Sequence, residues 1–175
     1  MFLEISVIAL GMIIAYFMTQ VPVLALNFEF MNTGVIYPDY LLMYLIFFAL
    51  YRGEFAGIWL GFFAGLLEDG AVWVLSDATR EYVPVIGIHA SIYSLTGFIL
   101  GKMNRIFDRY NMAPIVLLVL GTTFVVRLLT WILQGVLGEM NRNFVLVGPA
   151  LYTALISPIF FTVLSWLYRI RPGEP

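Results

Sequence analysis

The chain has no cysteine. That excludes disulfides, thiolate metal sites and a cysteine nucleophile, and it says nothing about compartment. Charge is almost as scarce. Only 11% of the 175 residues are Asp, Glu, Lys or Arg, against 62% hydrophobic, and the mean hydropathy is +0.94. A water-soluble domain needs more polar surface than this, so the class is integral membrane. His89 is the sole histidine; it cannot build a typical metal site with one neighbouring acid, because such sites take three or four ligands. The basic residues are too few and scattered for a nucleic-acid surface. Gly-x-Ser-x-Gly and His-Glu-x-x-His patterns are absent and no nucleophile–base dyad stands out, so neither an enzyme nor a cofactor is indicated. The first charge is Glu4, no basic n-region precedes it and no small-x-small cleavage site follows. A removed signal peptide is therefore not expected. No linker or low-complexity run divides the chain, which reads as a single domain over 1–175.

What is abundant is apolar helix-forming sequence. Six candidate spans fall at about 5–26, 37–51, 55–69, 85–101, 113–133 and 149–167, which predicts an all-α membrane bundle. Gln20 and Pro22 predict a kink or early exit from the first span. Pro38-Asp39 suits the first turn of the second, where an acid complements the positive end of the helix dipole. The second and third spans, about 15 residues each, are short; they lie obliquely or are encased by neighbours in a thinned bilayer. The connection from Glu68 to Val83 has room for a short interfacial helix. The last span is expected to break at Ser157-Pro158.

The third span is the most unusual. Gly53, Gly57, Gly61 and Gly65 recur every fourth residue, a stripe without side chains on one face of a helix. Each glycine costs about 1 kcal/mol of helix propensity relative to alanine. Between membrane helices such a stripe lets backbones approach closely. It reads as a packing seam, either within the chain or between two copies. The fourth span carries its own small residues in register: Ala90, Ser94, Gly97 and Gly101.

Basic residues set the orientation. With six spans and the N-terminus inside, Arg52, Lys102, Arg105, Arg109, Arg169 and Arg171 lie on the cytoplasmic side, and only Arg80 and Arg142 lie opposite. The positive-inside rule then places both termini in the cytoplasm. At about 1.5 Å rise per residue, Asp39, Asp69, His89 and Arg127 all lie about 18–22 Å above the cytoplasmic ends of their spans. A charge within a span is expensive, so a polar layer in the outer half is expected, with Arg127 paired to Asp69 or Asp39. Its plain role is to fix helix register; its other role is a functional pocket. His89 is expected to be buried and hydrogen-bonded near a helix start. Glu68 and Asp69 are adjacent and so point to different faces.

The stretches Tyr37-Pro38-Asp39-Tyr40-Leu41-Leu42, Arg52-Gly53, and Gly61-Phe62-Phe63-Ala64-Gly65-Leu66-Leu67-Glu68-Asp69 resemble the MreD family of rod shape-determining proteins. The last span, Pro149 to Pro158, is similar to its counterpart there. Asp39, Gly61, Gly65 and Asp69 are the positions that match. The resemblance implies a non-enzymatic subunit of the bacterial inner (plasma) membrane, without cofactor or metal. It implies binding to the bitopic protein MreC and a link between MreB filaments and the RodA–penicillin-binding-protein peptidoglycan synthase. The implied fold is like the six-helix substrate-binding (S) component of energy-coupling-factor transporters. The alternative from another class is such an S component itself, capturing a vitamin in its outer half; against it, the fifth and sixth spans offer few further polar groups.

Overall fold

A computed structural model describes residues 2–22, 25–27, 35–71, 73–75, 82–84, 86–104, 112–136 and 145–168. The chain runs through α1 (Phe2–Thr19), β1 (Leu26–Asn27), β2 (Val35–Ile36), α2 (Tyr40–Arg52) and α3 (Glu54–Ala71). It continues through β3 (Trp73–Leu75), β4 (Tyr82–Pro84), α4 (Ile88–Lys102), α5 (Met112–Val136) and α6 (Val147–Leu167). Each helix lies on one of the expected apolar segments. Two stretches, Ala113–Val136 and Val147–Leu167, are long and apolar enough to cross a membrane.

The bundle is built around α2. Every residue from Tyr40 to Leu50 is buried, and all of the other helices touch it. The reason lies in its sequence, which is apolar around the whole circumference and so must be enclosed. At 13 residues it is about 20 Å long, short against about 30 Å of hydrocarbon. Of the two accounts of its shortness, encasement by neighbours is the one the packing supports. Its N-cap is Asp39, whose Oδ1 accepts the Leu42 N–H at 2.8 Å. Pro38 thus precedes the cap rather than occupying the first turn. The Asp39 N–H donates to Thr153 Oγ1 at 3.0 Å, which ties the start of α2 to α6. Lower in the bundle, the Tyr44 hydroxyl lies 2.8 Å from the Ile8 carbonyl and 2.7 Å from the Tyr168 hydroxyl, joining α1, α2 and the end of α6.

Three expectations about connections are corrected or refined. The first helix exits early, at Thr19, and the chain turns into a short antiparallel pair, Leu26 opposite Ile36. After α3 the described residues form β3 and β4, paired Trp73 with Pro84 and Leu75 with Tyr82; residues 76–81, in the connection with room for an interfacial helix, lie outside the described residues. The last helix does not break at Ser157-Pro158 but runs through it. Proline removes the N–H that would bond the carbonyl of Ala154. The Ser157 hydroxyl donates to that same carbonyl at 2.7 Å, so the buried acceptor stays satisfied and the helix continues. Of the charges used for orientation, Arg80, Arg105, Arg109, Arg142, Arg169 and Arg171 lie outside the described residues. Arg52 and Lys102 close α2 and α4 at one common end of the bundle.

Candidate functional site

The glycine stripe of α3 packs antiparallel against α4 of the same chain. A Cβ on Gly57 would strike the Gly97 backbone, one on Gly61 the backbone of Tyr93 and Ser94, and one on Gly65 that of His89 and Ala90. The two expected small-residue faces are therefore each other's partner, and the seam is consumed internally rather than offered to a second copy. Gly53 does not belong to it. It stands outside α3, at the C-cap of α2 with φ +84°, where a built Cβ would meet only Asn104 Nδ2 at 3.6 Å. It is glycine because the turn between α2 and α3 needs the left-handed region.

The seam delivers the end of α3 to the start of α4. Asp69 is fully buried there. Its Oδ2 accepts from Gly87 N at 2.7 Å and Ala90 N at 3.2 Å, and its Oδ1 accepts from His89 N at 2.9 Å. His89 Nδ1 lies 2.8 Å from the same Oδ1. A carboxylate from one helix thus caps the next, meeting both the orphan N–H groups and the positive end of the dipole. Gly87, the N-cap itself, has no side chain to do this. The expected pairing of Arg127 with Asp69 is therefore replaced by His89 and three backbone N–H groups. His89 is hydrogen-bonded and near a helix start, as expected, but it is half-buried rather than buried because its ring borders the cavity described next.

Beside this cap a cavity of about 470 Å³ opens at the end of the bundle where α2, α4 and α6 begin and α1 and α3 finish. Three of the four expected polar residues, Asp39, His89 and Arg127, line it; Asp69 sits behind His89. Asp39 Oδ2 accepts the Tyr93 hydroxyl at 3.0 Å. Arg127 Nε donates to the Val145 carbonyl at 3.1 Å, anchoring the segment that leads into α6. Glu68 and Asp69 do take different faces: Glu68 joins the cavity lining, which sequence reasoning did not assign to it, while Asp69 faces α4. Sequence reasoning also missed the polar partners of Arg127 on α5. Thr123, Arg127, Thr130 and Gln134 recur at steps of four, three and four, and these offsets mark one face of a helix. Thr123, Thr130 and Gln134 are all buried. That stripe corrects the expectation that the fifth span has little polarity to offer, and the spacing alone could have revealed it.

A bundle of described helices with apolar spans, an internal glycine seam and buried polar groups at one end defines a helical membrane protein. Residues 4–171 match the family described as rod shape-determining protein MreD. The chain belongs to the MreD family. It is accordingly a rod shape-determining membrane protein of the MreBCD shape machinery, from a structural rather than a catalytic family. No curated protein and no solved structure matches the chain.

Proposed function

We propose that the protein is a non-enzymatic scaffold of the bacterial elongation machinery. It crosses the inner membrane six times with both termini in the cytoplasm, binds an MreC-like bitopic protein and helps couple MreB filaments to the RodA–penicillin-binding-protein synthase. The observation that carries this reading is the family match over 4–171, almost the whole chain. The bundle supports it in two ways. Its buried carboxylates Asp39 and Asp69 cap α2 and α4, which is a structural use of charge. Its outer faces are apolar: Phe55, Trp59 and Phe63 form an exposed aromatic row on α3, with Trp59 and Phe63 rings stacked 6.1 Å apart. With the seam occupied by α4, a partner's helix or a second copy has to use such an outer face.

In this topology Arg52 and Lys102 lie at the cytoplasmic ends of α2 and α4, and the cavity opens on the opposite side. The likeness to an S component of energy-coupling-factor transporters is part of the same proposal. The cavity also favours a second reading, in which the bundle captures a vitamin as such a component does. One experiment separates the two. Affinity purification of the tagged protein from native membranes, with mass spectrometry of the retained proteins, should recover an MreC-like protein together with cell-wall synthases. Recovery of a transporter ATPase pair with a bound vitamin would overturn the scaffold reading.

A further inference from the structure

The cavity holds more hydrogen-bond acceptors than the protein satisfies. Gln134 is 5% exposed, lines the cavity and has no partner for its Oε1 among the described residues. A buried amide oxygen left unpaired forfeits its solvation without a replacement bond, so it marks a place where a donor belongs. Glu68 also lines the cavity, within electrostatic reach of Asp39, His89 and Arg127. Asp39 Oδ2 accepts the Tyr93 hydroxyl and retains a second lone pair. His89 also lines the cavity, with its Nδ1 engaged by the Asp69 carboxylate. Two carboxylates, Asp39 and Glu68, and one guanidinium, Arg127, line the same space. Buried charge is tolerated when paired and hydrogen-bonded.

We propose that this cavity binds a primary ammonium group, held by the Glu68 and Asp39 carboxylates and by Gln134 Oε1. An ammonium supplies three N–H donors for these acceptors and places a positive charge beside the two carboxylates. A quaternary ammonium supplies the charge without the donors and fits poorly. At about 470 Å³ the site is of small-ligand size. Its opening at the end of the bundle admits the group from either of two sources, a soluble amine or the ethanolamine headgroup of a lipid. The inference rests on the cavity alone and not on the identity of the protein partners.

The test uses the full chain in nanodiscs of phosphatidylcholine and phosphatidylglycerol, which contain no primary amine. Thermal unfolding is followed during titration with ethanolamine, with tetramethylammonium at equal ionic strength as control, and again after phosphatidylethanolamine replaces phosphatidylcholine. At about 100 times its Kd a ligand should raise the midpoint by roughly 5–10 °C. A rise with soluble ethanolamine assigns a free amine; a rise only with phosphatidylethanolamine assigns the headgroup. Glu68→Gln and Gln134→Leu, which preserve volume, should each weaken the effect about tenfold or more. Midpoints that respond equally to ethanolamine and tetramethylammonium, and equally to the two lipids, would overturn the proposal. So would a response that survives intact in both variants. The wild-type comparison decides by itself if a variant does not assemble.

Discussion

Replacing Gly61 with alanine tests the seam most directly. The added Cβ would stand 2.5 Å from the Tyr93 carbonyl carbon and 2.7 Å from Ser94 N, both backbone atoms. Ordinary contact needs about 3.5–4.0 Å, so α3 and α4 must separate by about 1 Å, and a gap of that size forfeits up to half of each dispersion contact along the seam. Overpacking of this kind destabilises by about 1–3 kcal/mol. Alanine's better helix propensity offsets about 1 kcal/mol of that. The control is Gly121→Ala in α5, where a Cβ would meet nothing within 4 Å; there the propensity gain of about 1 kcal/mol stands alone. The propensity gain is common to both, so the two variants should differ by the overpacking cost of about 1–3 kcal/mol, or roughly 2–12 °C in thermal midpoint for a chain of this size. Both are measured by thermal unfolding in the same nanodiscs. Equal stabilisation by the two alanines would refute the close approach of α3 to α4.

Other predictions follow from the same contacts. Asp69→Asn keeps the size but turns an amide N–H₂ toward buried donors, and should lower stability by about 2–4 kcal/mol; it should also speed hydrogen exchange at Gly87, His89 and Ala90, and unchanged exchange would remove the capping role. Ser157→Ala should cost about 1–2 kcal/mol, because the Ala154 carbonyl loses its donor. In the Pro158→Ala background the restored backbone N–H takes that carbonyl, so the penalty should largely vanish; additive effects in this double-mutant cycle would show that the serine does something else. Arg127→Leu leaves Asp39 and Glu68 facing one another without their cation and releases the Val145 carbonyl. It should impair folding or rod shape, scored by membrane expression level and cell width; normal values in both would remove Arg127 from the polar layer.

The polar end of the bundle connects these contacts to one another. The seam sets how far α3 slides along α4, which places Asp69 under the α4 N-terminus. That placement turns Glu68, one residue earlier, toward the cavity. Asp39 does for α2 what Asp69 does for α4, as a cap whose remaining oxygen faces the same space. A substitution in the seam is therefore expected to disturb the cavity as well as the packing.

The sequence by itself determined the class and the elements. Hydropathy and scarce charge require a helical membrane protein, and the six apolar stretches locate its helices, because periodicity and composition are local properties. The four-residue spacing of Gly57, Gly61 and Gly65, with the small residues of the fourth span, already specified two smooth faces. The depth count already put Asp39, Asp69, His89 and Arg127 at one level. Only the tertiary structure decided which faces meet and which charges pair. Gly53 shares the spacing but not the helix, since its φ of +84° is set by the turn it makes. Asp69 takes His89 and the α4 N–H groups rather than Arg127, because antiparallel packing of α3 on α4 fixes the azimuth that a depth count omits. The last helix survives Pro158 because a neighbouring hydroxyl replaces a backbone donor. The enclosure of α2 and the juxtaposition of Glu68 with Gln134 depend on all the helices at once. They join residues far apart in the chain, and local pattern carries no record of that.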